Sequence, residues 1–318
     1  GFEGKLDEFQ IYDGVLTLDR IANIYAKQQV GDDVDGSTRD PVVCGEIEVV
    51  AGRITLNNTA DNPSFTHVCF DTPFSVAPVV FSLPTTASNS DRLALRIRNV
   101  TENGFDIAQV ESPEKANPSA PAGNIAQTVD FLAIVEGDYD LDGGAKMRVD
   151  TIDTKRYQAR SFSGSSWDTV DITDLGFSQP PSIIASIQTM KNEPNTNNPD
   201  GPFPISEPFL VTAMRSVTTT QFNMALDRAE TNTGTIASNE TIGYLAITQG
   251  VIGQLTDDIR YESFQTSRNV AGLNSCRIFN LAGNYSENPL IIATQNTRYG
   301  GDGGWLKRCA ISSSNVGF

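Results

Sequence analysis

Three stretches of this chain repeat one another, and that repetition constrains the fold more than any other feature. They read Phe74-Ser-Val-Ala-Pro78-Val-Val-Phe, Phe177-Ser-Gln-Pro-Pro181-Ser-Ile-Ile and Tyr285-Ser-Glu-Asn-Pro289-Leu-Ile-Ile. Each sets an aromatic four residues ahead of a proline and follows the proline with an apolar run. The aromatic can anchor a loop on a core. The proline suits the first position of a strand, where its missing N–H costs no ladder bond. A second set of segments follows: Arg96-Ile-Arg-Asn-Val-Thr-Glu-Asn-Gly-Phe105, Ala213-Met-Arg-Ser-Val-Thr-Thr-Thr-Gln-Phe222 and Cys309-Ala-Ile-Ser-Ser-Ser-Asn-Val-Gly-Phe318. Their polar clusters read as hairpin turns, with the aromatic opening the next strand. The first two units then close alike, on Val129-Asp-Phe-Leu-Ala-Ile134 and Ile242-Gly-Tyr-Leu-Ala-Ile247.

A period of about 100–115 residues is the size of a small β-sandwich and too long for a solenoid unit. We therefore expect an all-β chain of tandem antiparallel β-sandwiches: repeat 1 over residues 42–138, repeat 2 over 139–252 and repeat 3 over 253–318. The third has no counterpart of the closing strand, so it is expected to be incomplete, with an open sheet edge that further chain or a neighbouring copy must cover. Ahead of the repeats, Phe2-Glu-Gly-Lys-Leu-Asp-Glu-Phe-Gln-Ile-Tyr12 reads as a strand, followed by a turn and a short amphipathic helix with Thr17 as its N-cap. Residues 31–41, Gly31-Asp-Asp-Val-Asp-Gly-Ser-Thr-Arg-Asp-Pro41, form an acidic, turn-rich linker.

Charge and cysteine content then narrow the function. With 39 acidic against 23 basic residues the formal net charge is −16. Such a surface repels phosphate backbones, which argues against nucleic acid as a partner. No run approaches the ~18 consecutive apolar residues of a membrane span. The cysteines are Cys44, Cys69, Cys276 and Cys309, none of them in a C-x-x-C pair, and His67 is the single histidine. A zinc site of the usual spacing is thereby excluded. An even cysteine count in an acidic β-rich chain points to two disulfides made in an oxidising compartment. Three connectivities are open, of which the local pairs Cys44–Cys69 and Cys276–Cys309 are preferred.

Two resemblances follow from these motifs. Residues 1–30 resemble the closing segment of a laminin-G-like jelly roll, whose tail reads F-x-G-x-[IL]-D-E-[FV]-x-I-Y. The three repeats resemble the H-type lectin domain, through the aromatic-then-proline entry, the turn before Gly104-Phe105 and the final strand ending in Ala-Ile. The lectin resemblance implies a six-stranded antiparallel sandwich that often forms trimers. The order of the parts is similar to that of large bacterial surface proteins named MSHA pilus biogenesis protein Q, which implies association with a type IV pilus system. In the sugar-binding lectins an arginine precedes the turn glycine by twelve residues. That position is Arg92 in repeat 1, Phe209 in repeat 2 and Trp305 in repeat 3. Arg92 is thus the carbohydrate-binding candidate. The family's Trp-His pair falls on Ser112-Pro113 and Ala229-Glu230, which leaves the family's sugar site largely unmatched.

The remaining candidates are weighed against plainer readings. Asp138-Tyr-Asp140-Leu-Asp142-Gly143 matches the front of a calcium loop, but Val149 stands where a bidentate glutamate should close it. Calcium at Asp138, Asp140 and Asp142 competes with an acidic inter-repeat turn that needs no ligand. His67 sits on an alternating strand and has no Gly-x-Ser-x-Gly elbow to serve. No acidic pair recurs at matching core-facing positions, so a glycan-active hydrolase is the third choice. The sequons at Asn57, Asn99, Asn239 and Asn284 matter only in a eukaryotic secretory pathway. The expectation is a non-enzymatic structural or adhesive module of a bacterial cell-surface or pilus-associated assembly. Its partners are then neighbouring copies or other surface and pilus proteins. The alternative is a carbohydrate-binding module with glycans as ligands.

Overall fold

The computed structural model describes residues 47–56, 65–85, 93–112, 126–159, 166–193, 208–228, 234–267, 276–298 and 303–318. The expected laminin-G-like tail, the linker, Cys44, Arg92 and Asn57 lie outside the described residues.

The chain is all-β, and the described residues from Ile47 to Phe318 form one compact unit. Repeat 1 contributes β1 (Val49–Leu56), β2 (Thr66–Cys69), β3 (Val79–Leu83), β4 (Leu93–Thr101), β5 (Gly104–Glu111) and β6 (Gln127–Ile134). They make two antiparallel sheets, ordered β1-β6-β3 and β2-β5-β4. Repeat 2 follows with β7 (Gly137–Asp140), β8 (Lys146–Thr154), β9 (Tyr157–Gln158), β10 (Asp168–Asp171), β11 (Ser182–Ile187), β12 (Val211–Arg215), β13 (Gln221–Asp227) and β14 (Glu240–Ile247). Its sheets are β7-β8-β14-β11 and β10-β13-β12, with β9 joining β13 in parallel. The central order of both sandwiches is the same: β6 lies between β1 and β3 as β14 lies between β8 and β11, and β5 lies between β2 and β4 as β13 lies between β10 and β12. Repeat 3 supplies β15 (Val251–Gln254), β16 (Arg260–Ser263), β17 (Ile278–Asn280), β18 (Ala310–Ile311) and β19 (Asn315–Gly317), ordered β15-β16 and β17-β19-β18.

The shared closing motif explains how each sandwich is filled. On a strand, alternate residues face opposite sides. In β6, Val129, Phe131 and Ala133 enter the core of repeat 1, with Val68, Val80, Phe105 and Ile107. In β14, Ile242, Tyr244 and Ala246 enter the core of repeat 2, with Ile183, Phe222 and Met224. The intervening Ile134, Leu245 and Ile247 face the other way, into a third cluster with Val79, Phe81, Met147 and Val149. That cluster joins repeats 1 and 2. The closing strands are therefore apolar on both faces, as strands covered on both sides must be.

The hairpin turns are built alike. A hydroxyl at the turn's first position braces it: Thr101 Oγ1 donates to the Gly104 carbonyl (3.2 Å) and Thr218 Oγ1 to the Gln221 carbonyl (2.8 Å). In repeat 3, Ser312 Oγ accepts from the Asn315 N–H at 3.0 Å. Just before the turn, Asn99 and Ser216 hold matching left-handed conformations, φ 52° and 54°. This is a bulge shared by repeats 1 and 2, and it corrects the register for repeat 3. Val68 pairs with Phe105 and Val170 with Phe222, but Phe279 pairs with Val316. Val316, not Phe318, is thus the structural counterpart of Phe105, because the third hairpin is shorter and lacks the bulge.

Cys276 and Cys309 form a disulfide closing a separation of 33 residues, as preferred from the sequence. By chain entropy such a crosslink contributes about 3–4 kcal/mol. Cys69 ends β2 as an exposed free thiol among the described residues.

Gly243 shows how tightly repeats 1 and 2 meet. A Cβ there would lie 2.1 Å from Val79 Cγ1 and 3.1 Å from Gln188 Nε2. We expect Gly243→Ala to lower unfolding stability by about 1–3 kcal/mol, read as a fall in the urea midpoint at unchanged slope.

Candidate functional site

The three repeats meet one another around a closed circuit, and the buried chemistry of the molecule is concentrated at those junctions. Between repeats 1 and 2, Arg96 on β4 donates from Nε to Glu193 Oε2 (2.5 Å) and from Nη2 to Glu193 Oε1 (2.7 Å). Both side chains are buried, with 4% and 3% of their surface exposed. The guanidinium also lies 4.5 Å from the centre of the Phe209 ring. Burial pushes the Glu193 carboxyl up, and the Arg96 charge with the Leu210 N–H pulls against it. Nearby, Gln188 bonds both backbone groups of Val80, accepting from its N–H (2.9 Å) and donating to its carbonyl (2.8 Å). β3 is an edge strand, and this clamp satisfies polar groups that an edge leaves open.

The junction of repeats 2 and 3 uses the same devices. Arg298 Nε is 2.6 Å from Asp227 Oδ2, again with both side chains buried. Thr294 Oγ1 clamps Ala185, accepting from its N–H and donating to its carbonyl, each at 3.1 Å.

Between repeats 3 and 1 the centre is Asp130 on β6, 1% exposed. It accepts from Arg53 Nε at 2.6 Å and from the Ile291 N–H at 3.0 Å, and Arg308 Nη2 stands 3.7 Å away. Arg53 Nη2 reaches on to the Pro289 carbonyl (3.1 Å), and the Arg308 N–H donates to the Pro84 carbonyl (2.8 Å).

Two of the three positions that the lectin resemblance marks for the sugar-binding arginine, Phe209 and Trp305, are used here for packing. Phe209 is fully buried, and its ring centre lies 5.4 Å from that of Trp305. Trp305 Nε1 donates to the Leu93 carbonyl at 2.7 Å, so repeat 3 is pinned to repeat 1 at the same place. Ala94, Val110 and Val211 complete the cluster. Arg92, Pro113, Ala229 and Glu230 lie outside the described residues; Ser112 is buried.

The acidic motif is spent on ion pairs. Asp138 accepts two hydrogen bonds from Arg148, at 2.5 and 2.6 Å, and Asp140 pairs with Lys146. Arg148 also reaches Asp174 at 2.6 Å, and the hydrogen bonds of both carboxylates hold its guanidinium pKa above the ordinary value. Asp142 opens a short 3₁₀ turn, with Gly143 in the left-handed region. Among the described residues no three His, Cys, Asp or Glu side chains gather as metal ligands.

A further polar cluster lies at the surface, on β2, β4 and β5. His67 Nδ1 lies 2.7 Å from Asp106 Oδ1, Asn99 Nδ2 donates to Asp106 Oδ2 at 2.8 Å, and Arg98 stacks 3.6 Å from the Phe65 ring centre. Burial works against the Asp106 charge. The hydrogen bonds from His67 and Asn99, with the nearby His67 and Arg98, outweigh it, so the carboxyl titrates below its usual range. A depressed folded pKa gives stability that is present above the ordinary carboxylate range and lost as pH falls through the folded value. Asp106→Asn should therefore reduce the fall in Tm between about pH 6 and pH 2.5 relative to the parent, measured by thermal scans.

Sequence reasoning missed the junction charges. Arg96 in Leu93-Ala-Leu-Arg-Ile97 and Asp130 in Val129-Asp-Phe131 each carried a readable signal, a lone charge inside an apolar run. Glu193, Asp227 and Arg298 carried none.

No family model matches the chain, and no solved structure matches it. Over 142 residues, 45% of the chain, it is 28% identical to a protein named Halomucin from Haloquadratum walsbyi. The chain spans about 1% of the length of that protein. Among the described residues no helix is long and apolar enough to cross a membrane.

Proposed function

We propose that the chain is an extracellular structural or adhesive module of a bacterial cell-surface or pilus-associated assembly, and that it carries out no chemistry of its own. The observation that carries this reading is the use made of buried charge. Arg96–Glu193, Arg298–Asp227 and the Asp130 cluster all tie repeat to repeat. Removing one partner of such a pair is costly, so the pairs fix the repeats in one arrangement. A disulfide, an acidic surface and partial likeness to a protein named Halomucin support an extracellular place.

A glycan array probed with the whole chain, read beside saccharide hydrolysis, tests this. The expected result is no sugar bound through the family's site and no hydrolysis. Binding of an N-acetylgalactosamine-type sugar that is lost in Arg92→Ala, or turnover of any saccharide, contradicts it. The carbohydrate-binding reading has one observation in its favour: Phe65, Arg98, Asn99 and Asp106 set an aromatic ring beside convergent polar groups on the surface. Array binding lost in Asp106→Ala would establish that reading instead.

A further inference from the structure

Among the described residues, repeat 3 shows no strand where the other two repeats have their closing strand. In repeat 2, β14 pairs with β8 on one side and β11 on the other, so that Ile247 lies between Met147 and Ser182. In repeat 1, Ile134 lies likewise between Val49 and Val79. In repeat 3, β16 takes the place of β8: β15 pairs with it, Val251 opposite Ser263, as β7 pairs with β8, Gly137 opposite Val149. Residues 290–295 take the place of β3 and β11, by the shared aromatic-and-proline motif that ends at Pro289. No described strand joins the two. Between them runs a groove of about 1430 Å³, lined by Tyr261, Ser263, Leu290, Ile292, Leu306 and Phe318, among others.

The side chains record the difference. Leu290 is 38% exposed, whereas its counterpart Val79 is 2% exposed. Ile291 and Ile292 are half-buried, while Val80 and Phe81 are wholly buried. Residues 288–298 carry the β-forming sequence of β3 and β11 yet form no ladder. Two apolar edges facing one groove, with no described strand between them, present the geometry of strand addition.

We propose that the groove is a docking slot for one antiparallel β-strand of the β6 and β14 type, an extended peptide segment of aromatic-Leu-Ala-Ile character. The chemistry of the occupant follows from the two filled slots. An aromatic and an alanine face the sandwich, and Leu and Ile face the junction, in the order Tyr244-Leu-Ala-Ile247 or Phe131-Leu-Ala-Ile134. The final Ile sits between Tyr261 and Leu290.

The probe is a synthetic peptide of residues 238–249, Ser-Asn-Glu-Thr-Ile-Gly-Tyr-Leu-Ala-Ile-Thr-Gln, added to the chain as it stands. Saturable binding at one peptide per chain is expected, with a rise in Tm of at least about 2–4 °C at saturation. Binding should be lost in Ile292→Asp and absent for a scrambled peptide. A chain lengthened after Phe318 by the sequence of residues 228–252 should show the higher Tm and take up no peptide. Failure of the peptide to bind, or binding undiminished in Ile292→Asp, overturns the slot. A lengthened chain that still binds peptide overturns it as well. A chain that runs as a dimer and separates when peptide is added overturns the occupant, because it would put a second copy in the groove.

Discussion

Glu193→Ala should destabilise the folded chain by about 3–5 kcal/mol, because it leaves the Arg96 guanidinium buried without the carboxylate it grips through two nitrogens. For a unit of this size that is a fall in Tm on the order of 10 °C. The alternative, a surface pair, would cost under about 1 kcal/mol, so the measurement discriminates sharply. Burial decides between them: the two side chains keep only 4% and 3% of their surface in water. The loss is not confined to the pair. Glu193 also accepts the Leu210 N–H at 2.5 Å, and that backbone group precedes β12, which packs against repeat 1. A double-mutant cycle with Arg96→Met separates the pair from the rest. Its coupling energy should be at least about 2 kcal/mol, since residues sharing one buried network are not additive.

Asp130→Ala is expected to have an effect of the same order, about 3–5 kcal/mol, but with a different distribution through the structure. Asp130 stands between Arg53 and Arg308 and also receives the Ile291 N–H. Its removal leaves two like charges facing each other and releases the start of residues 290–295. Repeat 3 should loosen first. Urea unfolding of this variant should therefore show a shallower or two-step transition, which signals lost two-state behaviour. Asp130→Asn keeps the shape and a carbonyl acceptor, so it should retain the Ile291 contact and cost less than the alanine variant. Equal losses in the two variants would mean that the arginines do not feel the carboxylate charge.

Much of the fold was legible in the sequence. The aromatic-proline entry, the hydroxyl-braced turn and the closing Leu-Ala-Ile strand are local signals, each fixed by a strand or turn requirement, and all three form as expected in repeats 1 and 2, whereas in repeat 3 residues 288–298 form no strand. The Cys276–Cys309 pairing followed from proximity in the chain. The packing of repeats against one another was less legible. Val79-Val80-Phe81 and Tyr244-Leu-Ala-Ile247 are apolar at successive positions, which already implies cover on both faces, but not which repeat supplies it. The junction ion pairs were harder still. A buried aspartate such as Asp227 has the same spelling as any of the many surface acids, and only its distance of 2.6 Å from Arg298 in another repeat sets it apart. The third hairpin shows the limit of motif alignment: Gly317-Phe318 matches Gly104-Phe105 in spelling, yet the absence of the Asn99 bulge moves the register and puts Val316 in the aromatic's place.

The central claim is that repeats 1, 2 and 3 fold as one interlocked unit, not as beads on a string. Native-state hydrogen exchange of the whole chain, resolved by peptide mass, tests it most directly, because exchange reports the opening free energy of each segment separately. The account predicts that the amides of β6 and β14 open at a common free energy, and that Glu193→Ala lowers both together. Protection that differs between β6 and β14 by several kcal/mol, with Glu193→Ala weakening repeat 2 alone, would contradict it.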